Sequence, residues 1–218
     1  MRILTARLLA SFAFALITLG TANAQTTYFS SDFNAFPDSA TIVNGGSNSL
    51  SAYGLPTQFG IIRPDGSGGK ALTIYGGEDH NGAASGAFAG LAARIAEGQG
   101  LLRMTGVYRT TNAWDGTPWA QTGRIQFQNN QGFFPYNELV VTTAVPDWTP
   151  FTLDLDLGKL DAGQLGQVQA NFYLPSFQPG ELQVDNLTVQ TVPEPSTYAM
   201  LAVGAIAWAG GMIRRRRR

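Results

Sequence analysis

The chain contains no cysteine and a single histidine, His80. The absence of cysteine excludes disulfide bonds, zinc ribbons, iron–sulfur ligation and thiol nucleophiles. Charge is also scarce, because Asp, Glu, Lys and Arg together make up 13% of the 218 residues, about half of the usual share. Residues 25–192 contain seven basic residues against fourteen acidic ones. This part of the chain is therefore acidic, and nucleic acid is not expected among its partners.

The first 24 residues have the features of a secretory signal peptide. Two arginines precede an apolar run over residues 8–19, and small residues follow it. The residues expected at the cleavage site are Ala22, Ala24 and Gln25. The alternative is a membrane anchor, but a helix over residues 8–19 rises only about 18 Å, against a hydrocarbon core of roughly 30 Å. We therefore expect export through the Sec translocon and cleavage by signal peptidase.

Residues 192–218 contain three segments in order: a proline-rich motif, an apolar run and a basic end. The motif is Val192, Pro193, Glu194, Pro195 and Ser196, and its two prolines prevent a strand from continuing. Residues 197–213 predict a single hydrophobic helix, whose apolar run over residues 198–213 is about 24 Å long and short for a membrane span. The basic end is Arg214, Arg215, Arg216, Arg217 and Arg218, which the positive-inside rule leaves in the cytoplasm. The alternative is a basic tail that binds nucleic acid or lipid, but it leaves the apolar run unexplained.

This order of segments resembles the PEP-CTERM sorting signal of Gram-negative bacteria. In that family a membrane-embedded enzyme, exosortase, processes the tail, and the proteins are associated with exopolysaccharide production and with the matrix of biofilms or flocs. The resemblance implies exosortase as a partner and an inner-membrane intermediate anchored by its C-terminal helix. It implies a final location at the cell surface or in the extracellular matrix. The tail thus indicates a destination and leaves the activity open.

Residues 25–191 show short alternating runs that predict an all-β domain. The runs cover residues 28–34, 58–62, 71–75, 101–108, 125–128, 139–143, 151–157, 168–174 and 182–190. Turns are predicted at Asn44-Gly45, Asp65-Gly66, Asn81-Gly82, Asp115-Gly116 and Pro179-Gly180. The segment 90–97 fits either a helix or a strand. In residues 151–157 the side chains of Phe151, Leu153, Leu155 and Leu157 project to one face, which we expect to be buried. About nine short strands at this spacing predict an antiparallel β-sandwich.

The order of these pieces resembles the galactose-binding-like jelly rolls, which include carbohydrate-binding modules of families four, nine and twenty-two. The matching segments are 32–34, 69–74, 98–104, Trp148 and 184–189. The resemblance implies a jelly roll that binds carbohydrate. It also implies a structural calcium ion held by Asp185, with Asp32 as a second ligand. Calcium takes six to eight oxygens. The alternative is that Asp185 and Asn186 only satisfy nearby backbone amides.

Aromatic residues near two predicted turns are candidates for contact with sugar rings. These candidates are Trp114, Trp119, Phe134 and Tyr136, with Arg109 as a charged donor. Amide side chains that can bind sugar hydroxyls are Asn112, Gln121, Gln126, Gln128 and Asn137. The alternative interpretation is that the aromatic rings cover the open end of the sandwich.

Residues with catalytic chemistry do not form a convincing site in the sequence. Glu78, Asp79 and His80 are consecutive and cannot all face one site, so we predict a solvated turn there. Asp154 and Asp156 share a strand face about 6–7 Å apart, near the spacing of glycosidase carboxylates, but acids on an exposed strand ordinarily favour solubility. We therefore expect an exported, non-enzymatic β-sandwich protein. It either binds exopolysaccharide or serves as a structural spacer of the matrix or envelope.

Overall fold

The computed structural model describes residues 25–45, 48–53, 61–76, 81–112, 116–119, 122–132, 134–175 and 180–193. The predicted signal peptide, residues 194–218 of the tail and the Glu78–His80 segment lie outside these ranges. Helices and strands are described only within them.

Twelve strands and three short helical segments lie in the described residues. The strands are β1 (Thr27–Ser31), β2 (Ile42–Gly45), β3 (Asn48–Tyr53), β4 (Ile62–Pro64), β5 (Lys70–Tyr75), β6 (Asn81–Ser85), β7 (Leu101–Thr111), β8 (Gly123–Asn129), β9 (Pro135–Val141), β10 (Thr149–Asp156), β11 (Val168–Leu174) and β12 (Glu181–Val192). The helical segments are α1 (Leu91–Ala96), a 3₁₀ turn (Leu157–Lys159) and α2 (Ala162–Leu165).

The strands form two antiparallel sheets of six strands each. The first sheet has the order β10-β7-β12-β5-β4, with β1 also paired to β12. The second sheet has the order β2-β3-β6-β11-β8-β9. At one edge the Asn137 side-chain amide of β9 donates to the Asp154 carbonyl of β10 over 2.6 Å, which joins the two sheets. The predicted antiparallel β-sandwich is confirmed.

The core lies between the inner faces of the two sheets. Phe151, Leu153, Leu155 and Leu157 are all buried, as their alternation predicts. The second sheet contributes its own large side chains, among them Phe127. Each full burial of such a side chain contributes about 1.5–3 kcal/mol relative to exposure. Packing of two apolar faces therefore accounts for the sandwich.

The predicted turn at Asn81-Gly82 is wrong, because both residues belong to strand β6. Asn81 is buried, and its side-chain amide donates to the carbonyl oxygen of Tyr75 over 2.9 Å. Gly82 faces the ring of Tyr53 on the neighbouring strand, where a larger side chain has no room. At this position glycine is required for packing against the Tyr53 ring and does not form a turn. The segment 90–97, left open between helix and strand, contains helix α1.

Candidate functional site: a polar cleft on the second sheet

Strand register aligns polar side chains on the outer face of the second sheet. Asn171 of β11 pairs with Gln126 of β8, and Gln126 pairs with Glu138 of β9. Tyr173 pairs with Arg124 in the next row. Alternate residues of a strand point to opposite faces, so the intervening side chains face the core. Those core residues are Ile125, Phe127, Ala170 and Phe172.

This outer face contains a cleft of about 610 Å³, within the roughly 300–1,000 Å³ typical of small-molecule sites. Its lining combines aromatic, amide, guanidinium and proline side chains from strands β3, β8, β9 and β11. The lining residues are Tyr53, Arg124, Gln126, Gln128, Pro135, Asn171, Tyr173 and Pro175. The cleft therefore offers apolar ring surface beside hydrogen-bonding groups.

The ring of Tyr53 crosses strand β6 at Gly82. A Cβ atom at position 82 would overlap this ring and lie 2.6 Å from the carbonyl oxygen of Phe172. The Tyr53 hydroxyl accepts a hydrogen bond from Asn171 Nδ2 over 2.8 Å and lies 3.2 Å from Asn171 Oδ1. Burial raises the pKa of Tyr53 to about 12, so its hydroxyl is neutral at physiological pH. Gly82 thus allows an aromatic ring to reach across to the central strand of the cleft.

Three polar atoms of the cleft lining are buried and have no hydrogen-bond partner among the described residues. They are Gln126 Oε1, Gln128 Nε2 and Arg124 Nε. Gln126 and Gln128 are 5% and 2% exposed, and the Gln126 amide nitrogen donates to Gln128 Oε1. Leaving such a group unsatisfied costs about 1–3 kcal/mol. If either amide were assigned in its flipped orientation, a donor would replace an acceptor, or the reverse, at the same position. A hydrogen-bond partner is therefore needed there in either orientation.

One ion pair borders the cleft. Arg124 Nη1 lies 2.8 Å from Glu138 Oε2, and both side chains are about one-third exposed. Burial raises the pKa of the neighbouring Tyr173 despite the opposing effect of the Arg124 charge. The Tyr173 hydroxyl is therefore neutral at physiological pH as well. The cleft thus has neutral amides and phenols beside a paired guanidinium.

Among the predicted glycan-contacting residues, Gln126 and Gln128 line this cleft, but Arg109 does not. Arg109 lies on the first sheet, where its Nε donates to Gln183 Oε1 over 2.8 Å. Its guanidinium carbon also lies 4.5 Å from the centroid of the Trp148 ring. Arg109 is therefore held by partners on the first sheet.

Three of the four predicted aromatic residues lie in the described part of the chain, and their surroundings differ. Tyr136 packs against the core, and its hydroxyl accepts from Asn129 Nδ2 over 3.2 Å. Trp119 also packs against the core, next to Gly180. Phe134 is 72% exposed, and Trp114 lies outside the described residues. None of the three described rings lines the polar cleft, and contact of the four residues with a glycan stays a prediction.

The acidic residues proposed for calcium make local hydrogen bonds. Asp185 Oδ1 accepts from the Asn186 backbone amide over 2.7 Å, and Asp32 Oδ1 accepts from the Asn34 amide over 3.2 Å. Burial raises the pKa of Asp185, and the charges of Asp32 and Asp65 raise it further. Within the described ranges no three Asp, Glu or His side chains are grouped to bind a metal ion. Asp185 thus accepts from a nearby backbone amide, as the alternative to a calcium site predicts. The calcium ion stays a prediction.

The two aspartates with glycosidase-like spacing both have structural partners. Asp154 holds the guanidinium of Arg103 through two contacts of 2.6 and 2.7 Å. Asp156 Oδ1 accepts from the Gly158 amide over 3.0 Å and begins the 3₁₀ turn. Neither residue lines the polar cleft. Their observed interactions belong to the fold.

Sequence reasoning missed Tyr53, Arg124, Asn171 and Tyr173 as site residues. A signal was present in residues 168–174, where Gln169, Asn171 and Tyr173 alternate with apolar residues. Such alternation indicates a strand whose outer face is polar. Tyr53 had no comparable signal, because its role depends on the neighbouring strand.

The C-terminal tail matches a known family model. Residues 191–218 match the PEP-CTERM protein-sorting motif, which confirms the predicted sorting signal. The motif indicates an exported, C-terminally anchored protein that exosortase processes. No helix in the part of the chain that the structure describes is long and apolar enough to cross a membrane. The predicted helix over residues 197–213 lies outside that part.

Solved structures similar to the chain include carbohydrate-binding modules and a cyclase. The family 11 module of the cellulase Lic26A-Cel5E of Clostridium thermocellum is 12% identical with a TM-score of 0.41, covering 78% of this chain and 98% of that chain. The CBM22-1 xylan-binding domain of Paenibacillus barcinonensis Xyn10C is 12% identical with a TM-score of 0.43, covering 80% and 99%. The cyclase Fisc from Fischerella sp. TAU is 11% identical with a TM-score of 0.43, covering 78% and 99%. The comparison with curated proteins found no match. These similarities concern the fold alone.

Proposed function

We propose that this protein is an exported, non-enzymatic glycan-binding protein. Its cleft on the second sheet binds the producing cell's exopolysaccharide, and its tail directs it to the cell surface or extracellular matrix. The observation that carries this proposal is the combination of aromatic rings, neutral amides and a guanidinium in one cleft. The sorting motif supports export and is independent of what the cleft binds.

The chemistry of the cleft suits a sugar chain. A sugar ring presents hydroxyls that both donate and accept hydrogen bonds, and amide side chains do the same. Gln126, Gln128 and Asn171 supply neutral amide groups to the cleft lining. Tyr53 and Tyr173 supply aromatic surface for the apolar faces of the sugar rings. Amides, phenols and a paired guanidinium favour binding without a chemical step.

Affinity electrophoresis tests this proposal. The full chain in mild detergent is run through gels that contain the producer's own exopolysaccharide. We expect retardation for the wild type and at least tenfold weaker retardation for Gln126→Ala, since loss of about 1.4 kcal/mol is tenfold in affinity. Gln183→Ala is the matched control, because Gln183 is a similarly buried amide, 4% exposed, that bonds Arg109 on the other sheet.

Three results distinguish the functions. Retardation that is lost in Gln126→Ala and kept in Gln183→Ala supports binding in the cleft. Retardation that both variants keep would show that the glycan binds another surface, such as the one around the exposed Phe134. If the wild type shows no retardation, glycan binding is rejected and the protein is a structural spacer of the matrix or envelope.

A further inference from the structure

The charges around the cleft indicate which class of glycan it binds. We propose that the cleft prefers uncharged sugars to carboxylated ones, and that Glu138 sets this preference by neutralising Arg124. This inference rests on the proposed function. It assigns a specificity role to a residue that lies at the edge of the cleft.

Arg124 is the one charged residue among the described residues that line the cleft. Its Nη1 already donates to Glu138 Oε2 over 2.8 Å. The sheet register supports this contact, because Glu138 pairs with Gln126 and thus lies on the same face as Arg124. A sugar carboxylate near Arg124 would have to displace Glu138 or lie beside a charge of its own sign. Like-charge contact of this kind opposes binding.

An uncharged sugar avoids this conflict. The Arg124 side chain is about one-third exposed and contacts Glu138 through Nη1, so its outer N–H groups can donate to a sugar hydroxyl while the Glu138 ion pair stays intact. Gln126, Gln128 and Asn171 carry no charge. The excess of fourteen acidic residues over seven basic ones in residues 25–192 adds long-range repulsion of a polyanion.

Calorimetric titration of the full chain in mild detergent tests the preference with matched pairs of hexasaccharides. Each pair differs only by oxidation at C6: β-1,4-linked glucose against glucuronate, galactose against galacturonate, and mannose against mannuronate. We expect any neutral hexamer that binds to do so about tenfold more tightly than its carboxylated counterpart, equivalent to about 1.4 kcal/mol. This wild-type comparison does not depend on the folding of any variant.

Substitution of Glu138 tests its role. In Glu138→Gln the guanidinium of Arg124 is released, so we expect the preference for the neutral hexamer to vanish or reverse. In the double variant Arg124→Gln, Glu138→Gln the cleft has neither charge, so no cation offsets the cost of removing a sugar carboxylate from water. The preference for the neutral hexamer should therefore remain. Asp154→Asn is the matched control, because Asp154 forms a similar ion pair with Arg103 over 2.6 Å on the other sheet. This control should leave the preference unchanged.

The outcomes separate this inference from the function on which it rests. If the wild type binds a carboxylated hexamer as tightly as the neutral one, or if Glu138→Gln keeps the wild-type preference, the inference is overturned while glycan binding stands. If neither the hexamers nor the exopolysaccharide bind, the proposed function falls and this inference falls with it.

Discussion

Among single residues, Tyr53 combines burial, a hydrogen bond and a titratable group in the cleft. Its folded pKa of about 12 lies above the ordinary value of 10.0. The neutral phenol is therefore the form that the fold favours. Below pH 10 the neutral Tyr53 side chain contributes fully to the free energy of unfolding. This contribution is lost as the pH rises through about 12, because the tyrosine hydroxyl of the unfolded chain releases its proton first.

Tyr53→Phe should therefore show a pH-dependent loss of stability. At pH 7 we expect it to unfold about 1 kcal/mol more easily than the wild type, because Asn171 loses its hydroxyl partner. Between pH 10 and pH 12 the gap should shrink, since phenylalanine cannot ionise. Urea unfolding at pH 7, 10, 11 and 12 measures the gap, and the other tyrosines are common to both proteins. A gap that stays constant to pH 12 would contradict the assigned pKa.

The pKa of Asp185 is shifted in the same direction as that of Tyr53, and the cost of its ionisation arises at lower pH. Burial and the nearby charges of Asp32 and Asp65 raise its pKa in the fold, so its ionised form is disfavoured there. Ionisation thus lowers stability at neutral pH, and this cost disappears as the pH falls and the carboxyl is protonated. A bound cation would remove the same cost by neutralising the charge.

Asp185→Asn tests both the charge effect and the calcium prediction. In chelator at pH 7 we expect this variant to melt at a higher temperature than the wild type. The difference in melting temperature should narrow as the pH falls through the raised pKa of folded Asp185 and should vanish below about pH 4, near the ordinary aspartate pKa. Added calcium should raise the melting temperature of the wild type more than that of the variant. Equal responses of the two proteins to calcium would show that Asp185 holds no calcium ion.

Among the elements, strands β3 and β6 fit together through Gly82. A methyl group at this position would overlap the Tyr53 ring and press on the Phe172 carbonyl. Gly82→Ala should therefore lower the free energy of unfolding by about 1–3 kcal/mol, the usual cost of overpacking. It should also weaken exopolysaccharide binding, because the Tyr53 ring has to leave its position in the cleft.

Gly166→Ala is the matched control for this substitution. Gly166 follows helix α2 with a φ of −75°, and the nearest atom to an added Cβ is 3.6 Å away. This change should be neutral or slightly stabilising. If chemical denaturation shows Gly82→Ala to be as stable as Gly166→Ala, the close approach of Tyr53 is not a constraint on the fold.

In the whole molecule, the end of the sandwich overlaps the start of the sorting signal at Thr191 and Val192. Strand β12 ends at Val192, and the core residues lie between Tyr28 and Val189. We expect residues 25–193 to fold without the remainder of the tail, and the tail to direct sorting.

Mass spectrometry of the exported protein tests the processing of the tail, and a truncated chain tests whether the domain folds without it. We expect mature extracellular protein to begin at Gln25 and to lack Arg218, because exosortase processes the tail. A chain truncated after Pro193 should keep the wild-type melting temperature and glycan affinity. Extracellular protein that ends at Arg218 would contradict processing, and a truncated chain that unfolds would contradict folding without the tail.

Features that depend on neighbouring residues can be read from the amino-acid sequence alone. The alternation of Phe151, Leu153 and Leu155 specified a strand and its buried face, since side chains of a strand alternate with a period of two. The sorting signal was equally readable, because its motif, apolar run and arginines follow one another directly. The polar face of residues 168–174 was also present in the sequence as a pattern.

The set of polar residues that form one site depends on how the distant strands assemble. Tyr53 and Asn171 are 118 positions apart, and Gln126 and Asn171 are 45 apart. They meet because the second sheet places β3, β6, β11 and β8 side by side, an order that does not follow the chain. Local signals also misplaced Gly82, because Asn-Gly is a frequent turn dipeptide, whereas in β6 this glycine leaves room for the Tyr53 ring. Register between distant strands is set by long-range packing, and for that reason the cleft emerges only when the two sheets are assembled.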